Sequence, residues 1–100
     1  MKKSKQNFLE ELYLVIKQRA NSRSKKSYTK ELIKKGKKEI AQKIGEEASE
    51  LIIDYINGSK KRTIEEASDL IYHLLVMLYT KNISINDIKK ELEKRKHVRR

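Results

Sequence analysis

IGEEASELI, residues 44–52, returns in altered form as IEEASDLIYH, residues 64–73. Glu47 and Glu50 stand three apart in the first stretch, and Glu66 and Asp69 three apart in the second. Both pairs interrupt apolar runs. At about 100° per residue, Lys43, Glu47, Glu50 and Asp54 fall within roughly 60° on one helix face, and Glu66, Asp69 and His73 do the same on another. Each acidic face borders an apolar stripe rather than opposing it.

Around these stretches the chain reads as helix. Phe8, Leu9, Leu12, Val15 and Ile16 recur at helical spacing behind Asn7, a good N-cap, and predict a helix over 7–20. SYTKELIKKG (27–36) predicts a short helix stopped by a left-handed Gly36. Ile40, Ile44, Ala48, Leu51 and Tyr55 form the stripe of a long helix over 37–56, closed by Asn57 and Gly58. Gly45 lies inside it at a cost of up to about 1 kcal/mol, which suggests close packing or a nearby ligand. TIEE (63–66) has the form of a capping box and predicts a helix from 63 to 80. That helix is apolar nearly all round, hence the buried centre of the bundle or of a dimer. Ser84 and Asp87 form another box, stapled by Ile83 and Ile88, for a last helix ending near 96. The ends MKKSK and HVRR read as frayed. The expected fold class is all-α: one domain over 1–100, a small bundle of four to five helices completed by homodimerisation.

Composition supports this. There is no Pro and no Cys, and only 3 Gly in 100 residues. Without Cys, disulfides and thiolate metal sites are excluded. No apolar run reaches membrane-spanning length and the N-terminus lacks a signal-peptide core, so a cytoplasmic protein is expected and no membrane partner. A domain this short is marginal alone, and pairing with a second copy would help it.

The net charge is +11. Residues 17–43 hold eleven Lys or Arg against Glu31 and Glu39, whereas residues 44–93 hold ten acids against six bases. An acidic half inside a basic protein suits an anionic ligand.

The two predicted long helices are joined by a short loop and should be antiparallel neighbours. Their acidic faces can then meet. Four half-buried carboxylates stay ionised only if cations join them. Oxygen donors in that number select a hard metal, Mg²⁺ before Mn²⁺. The competing reading makes Glu66 the capping-box acid, pairs the α-helical acids with Lys43 or Lys60, and makes His73 the partner of Asp69. Mg²⁺ beside a basic segment implies chemistry on a polyphosphate. There is no GxxxxGK[ST] loop, which excludes a P-loop enzyme.

SYT (27–29), KIGEEASELI (43–52) and EEASDLIYHLLVML (65–78) resemble the phosphoribosyl-ATP pyrophosphohydrolase family, within the all-α MazG and dimeric dUTPase-like group. The resemblance runs from about Leu9 to Arg95. It implies a Mg²⁺-dependent homodimer that cleaves the α–β phosphoanhydride of 1-(5-phosphoribosyl)-ATP, the second step of histidine biosynthesis. It implies Glu47, Glu50, Glu66 and Asp69 as metal ligands, Glu46 as an extra ligand or the residue orienting water, and Lys43 as a phosphate contact. Ser27, Tyr28 and Thr29 would cap the short helix or touch substrate. Tyr72 and His73 would serve packing and support. Relatives fused to the cyclohydrolase of the next step need Cys for zinc, so this chain is expected to carry the pyrophosphohydrolase alone.

Two alternatives stand beside this reading. A MazG-like house-cleaning enzyme would share the metal site and take free nucleoside triphosphates. A small basic nucleic-acid-binding protein would explain the charge, but the acidic cluster would repel phosphates and no base-reading motif is visible.

Overall fold

A computed structural model describes residues 7–23 and 27–96. The frayed ends expected at 1–6 and 97–100 lie outside those residues, as does part of the basic loop 21–26. Five helices follow in order: α1 (Phe8–Ala20), α2 (Tyr28–Lys35), α3 (Lys37–Asn57), α4 (Lys60–Thr80) and α5 (Ile85–Lys96). No strand occurs among the described residues.

Local chemistry sets most of the boundaries. Asn7 and Glu10 make a reciprocal capping box on α1, with side chain to backbone distances of 2.9 and 3.2 Å. Acids in the first turn of α1 and bases in its last complement the helix dipole. Ser27 caps α2 by accepting from the Lys30 N–H at 3.2 Å. Ser84 and Asp87 form the box expected for α5, at 3.1 and 2.9 Å.

Three expectations need correction. Helix α4 starts at Lys60, not 63: Ser59 is its N-cap and accepts from the Arg62 N–H at 3.1 Å. Thr63 lies inside the helix, its hydroxyl donating to the carbonyls of Ser59 and Asp54. The chain can turn this early because Gly58 fits against Asp54, where an added Cβ would come within 2.9 Å of its Cα. Gly36 has φ 104° and ψ 178°, outside the left-handed helical region and in one that glycine alone adopts readily. Gly45 has open space where a Cβ would stand, so tight helix packing does not explain it.

α3 and α4 form the most extensive helix pair, an antiparallel hairpin. α1 and α2 lie against one end of it. Ile16, Leu32, Ile40, Leu75 and Val76 form the buried core there, one or two residues from each of α1 to α4. Tyr13 ties α5 in by donating to the Ile83 carbonyl at 2.7 Å. The expectation of a wholly buried α4 fails within one chain. Ile64, Ile71 and Leu74 are exposed on α4, as are Ile52, Ile53 and Ile56 on α3. The radius of gyration, 15.4 Å, exceeds the about 13 Å of a compact domain of this length.

Candidate metal and phosphate site

The antiparallel hairpin sets the site register. Advancing along α4, Arg62 meets Asp54, Glu66 meets Glu50, and Asp69 and His73 meet Glu47. The predicted convergence of the two acidic faces is therefore present.

Glu66 is the most enclosed of the acids, 5% exposed. Its Oε2 accepts from Arg62 Nη2 at 2.6 Å, while its Oε1 is shut off from solvent with no hydrogen-bond partner. Burial pushes its carboxyl above the usual range, and the adjoining Glu50 adds to the rise, Arg62 opposing. Since Ser59 alone caps α4, helix capping no longer accounts for Glu66.

Glu47 repeats the pattern on α3. Its Oε1 is enclosed and meets His73 Nδ1 at 2.7 Å. Burial again raises this carboxyl, with repulsion from Asp69 added; His73 and Lys43 pull it back. Lys43 thus sits close enough to act on Glu47 and on Tyr28.

Glu50 and Asp69 belong to the same cluster but are exposed on its solvent side. Asp69, one turn into an apolar stretch of α4, carries no burial cost because it is exposed. Glu46 points away, its Oε2 accepting from Gln42 one turn back at 3.1 Å. Ser27 spends its hydroxyl on the α2 cap, Thr29 is 1% exposed and bonded to Tyr72, and Tyr28 is bonded to His73 at 2.6 Å.

Arg62 is the main residue that sequence reading missed. Its spacing to Glu65 and Glu66, three and four residues, is that of helical ion pairs. Starting α4 at 63 left Arg62 in the loop and hid the signal.

Among the described residues no three His, Asp or Glu side chains are drawn together as a ready metal cage. Mg²⁺ does not require one, since it keeps several waters and commonly takes one or two carboxylates plus phosphate oxygens. Two enclosed carboxylate oxygens, one from each helix, fit a cation: Glu66 Oε1 has no partner and Glu47 Oε1 meets His73.

The family described as phosphoribosyl-ATP pyrophosphohydrolase matches residues 9–96. The chain belongs to that family. A phosphoribosyl-ATP pyrophosphatase of Sulfolobus acidocaldarius is 48% identical over 89% of this chain and 94% of its own length. The histidine biosynthesis bifunctional protein HisIE of Buchnera aphidicola is 45% identical over 96% of this chain, and that of Caldanaerobacter subterraneus is 49% identical over 87%. The chain spans 46% and 42% of those two bifunctional relatives. Among the described residues no helix is long and apolar enough to cross a membrane.

Proposed function

We propose that this chain hydrolyses the α–β phosphoanhydride of 1-(5-phosphoribosyl)-ATP, giving phosphoribosyl-AMP and pyrophosphate in histidine biosynthesis, with Mg²⁺ held by Glu47, Glu50, Glu66 and Asp69. Membership of the family supports the substrate. The observation that carries the metal is the enclosed, unpartnered Glu66 Oε1, with the enclosed Glu47 Oε1, whose polar neighbour is His73 Nδ1 at 2.7 Å, facing it from α3. Leaving such groups unsatisfied is costly, and a divalent cation removes that cost together with the like-charge repulsion.

When bound, Mg²⁺ would neutralise the phosphate chain and polarise the scissile phosphoryl group; Mn²⁺ could substitute. The remaining work falls to side chains. Lys43 stands beside Glu47 to take phosphate oxygens. The basic 17–43 segment draws the polyanion toward the acidic cluster. Glu46, exposed next to Glu47, would turn from Gln42 to orient the attacking water. Ser27, Tyr28 and Thr29, whose hydroxyls are engaged in the protein, would shape the rim of the substrate site.

The working form is a homodimer. The exposed apolar face of the hairpin gives the reason: Ile52, Ile53 and Ile56 lie on α3, Ile64 and Ile71 on α4. Full burial of such a side chain is worth about 1.5–3 kcal/mol. Five from each copy, partly exposed as they are, supply a gain of the same order as the association cost of about 4–15 kcal/mol.

The test is pyrophosphate release from phosphoribosyl-ATP with Mg²⁺, with EDTA, and with the Glu47→Gln and Glu66→Gln variants. Release that needs Mg²⁺ and both glutamates supports the reading. No release by the wild type, or faster turnover of deoxynucleoside triphosphates, ends it.

A further inference from the structure

His73 on α4 is 6% exposed and contacts three helices at once. Its Nδ1 lies 2.9 Å from the Asp69 carbonyl, one turn back. A carbonyl only accepts, so Nδ1 carries the hydrogen and donates it there. In the neutral ring Nε2 is then an acceptor, and the Tyr28 hydroxyl from α2 donates to it at 2.6 Å. The rings of Tyr28 and Tyr72 stand edge-on to the imidazole, at 5.5 and 5.6 Å. Tyr72 is tied to α2 in turn through Thr29. The imidazole can therefore neither flip nor swing. Glu47 Oε1 lies 2.7 Å from the same Nδ1, so the one N–H is shared between that oxygen and the Asp69 carbonyl.

We propose that His73 and Tyr28 are positioning residues for the metal site: Tyr28 holds the imidazole from α2, and the imidazole fixes the Glu47 carboxylate and the Asp69 backbone relative to each other. The inference rests on the reading of Glu47 and Asp69 as metal ligands. It gives SYT and YH a joint task that neither stretch suggests alone. Groups that orient metal ligands typically matter by about 10–100-fold in metal affinity or activity.

The experiment compares His73→Asn, His73→Gln, His73→Ala and Tyr28→Phe. An asparagine amide places its N–H near the position of Nδ1; a glutamine amide reaches further, near Nε2. Mn²⁺ binding is followed by electron paramagnetic resonance without substrate, and kcat and KM are measured with Mg²⁺. Thermal unfolding in EDTA reports whether each variant folds. The expected result is that His73→Asn keeps most of the Mn²⁺ affinity while Gln and Ala lose about 10-fold. Tyr28→Phe, which removes only one hydroxyl, should lose affinity in the same direction and lower kcat with KM unchanged. Equal Mn²⁺ affinity in all four variants and wild type, or equal loss in Asn, Gln and Ala, overturns the proposal and leaves His73 a packing residue. A wild type that binds no Mn²⁺ overturns the metal reading itself, and this inference with it.

Discussion

Arg62 closes an ion pair with Glu66 across one turn of α4, Nη2 to Oε2 at 2.6 Å, while Glu66 Oε1 has no partner. The guanidinium also reaches Glu65 at 3.0 Å and Asp54 at 3.8 Å. It is a cation standing where a metal would compete. Its own side chain is 54% exposed, so the pair with Glu66 is screened by solvent. A divalent ion can displace it.

Arg62→Gln should therefore tighten Mn²⁺ and Mg²⁺ binding, by about 2–5-fold at the strength of a screened ion pair. The same variant should lower the unfolding temperature of the metal-free protein slightly. Calorimetric titration and thermal melts in EDTA check both. Weaker metal binding in Arg62→Gln would show that Arg62 assists the site instead of competing for it.

The pH dependence of the metal-free protein follows from Glu47 and Glu66. Both carboxyls are raised above the usual range, chiefly by burial. A raised acid binds its proton more tightly folded than unfolded. The stability it contributes is fully present below the ordinary carboxylate range and is lost as pH rises through the raised folded value. The wild type should thus lose ground to a Glu47→Gln/Glu66→Gln double variant as pH rises from the ordinary carboxylate range upward. Adding Mg²⁺ at pH 7 should stabilise the wild type and leave the double variant unmoved. Denaturant melts at several pH values, with and without metal, measure this; a pH-independent difference would contradict it.

Helix content, the Asn7 cap of α1, the α5 capping box and the meeting of two acidic faces were legible because each depends on residues a few positions apart. Ser84 with Asp87 carries its meaning in its spacing, whereas the return bond from Glu10 to Asn7 was not read. The α4 start was not legible. TIEE matches a capping box better than Ser59 with Arg62 does, and only the backbone of the Gly58 turn lets Ser59 take the role. The Tyr28–His73 bond joins residues 45 positions apart, and no local pattern announces it. Of the two places offered for α4, the centre of the bundle or of a dimer, one chain does not supply the first: Ile64, Ile71 and Leu74 stay exposed, and an apolar run does not tell burial within a chain from burial between chains.

The assembly itself is open to measurement. Light scattering during size exclusion should give twice the 11.9 kDa chain mass. Ile53, 61% exposed on the hairpin face, is the position to change. A glutamate there brings an unpaired charge into any interface it occupies, which is strongly unfavourable. Ile53→Glu should shift the protein to a monomer at micromolar concentration while its helical circular dichroism persists. A dimer unaffected by this change would place the interface on another surface.

The corrected start of α4 has its own signature. Ser59 holds the first turn through the Arg62 N–H, and that turn carries the Arg62 side chain to Glu66. Ser59→Ala should cost about 1 kcal/mol, the usual loss of a side-chain cap. Because the frayed turn releases Arg62, the variant should also bind Mn²⁺ more tightly, as Arg62→Gln does. Thr63→Val removes a hydroxyl that ties α4 to the carbonyls of Asp54 and Ser59, without touching the cap. It should lower stability comparably but leave metal affinity where it was, since Arg62 keeps its place. Denaturant melts paired with Mn²⁺ titrations separate the two variants. If Thr63→Val tightened metal binding and Ser59→Ala did not, the cap would belong at 63 after all, with Arg62 outside the helix.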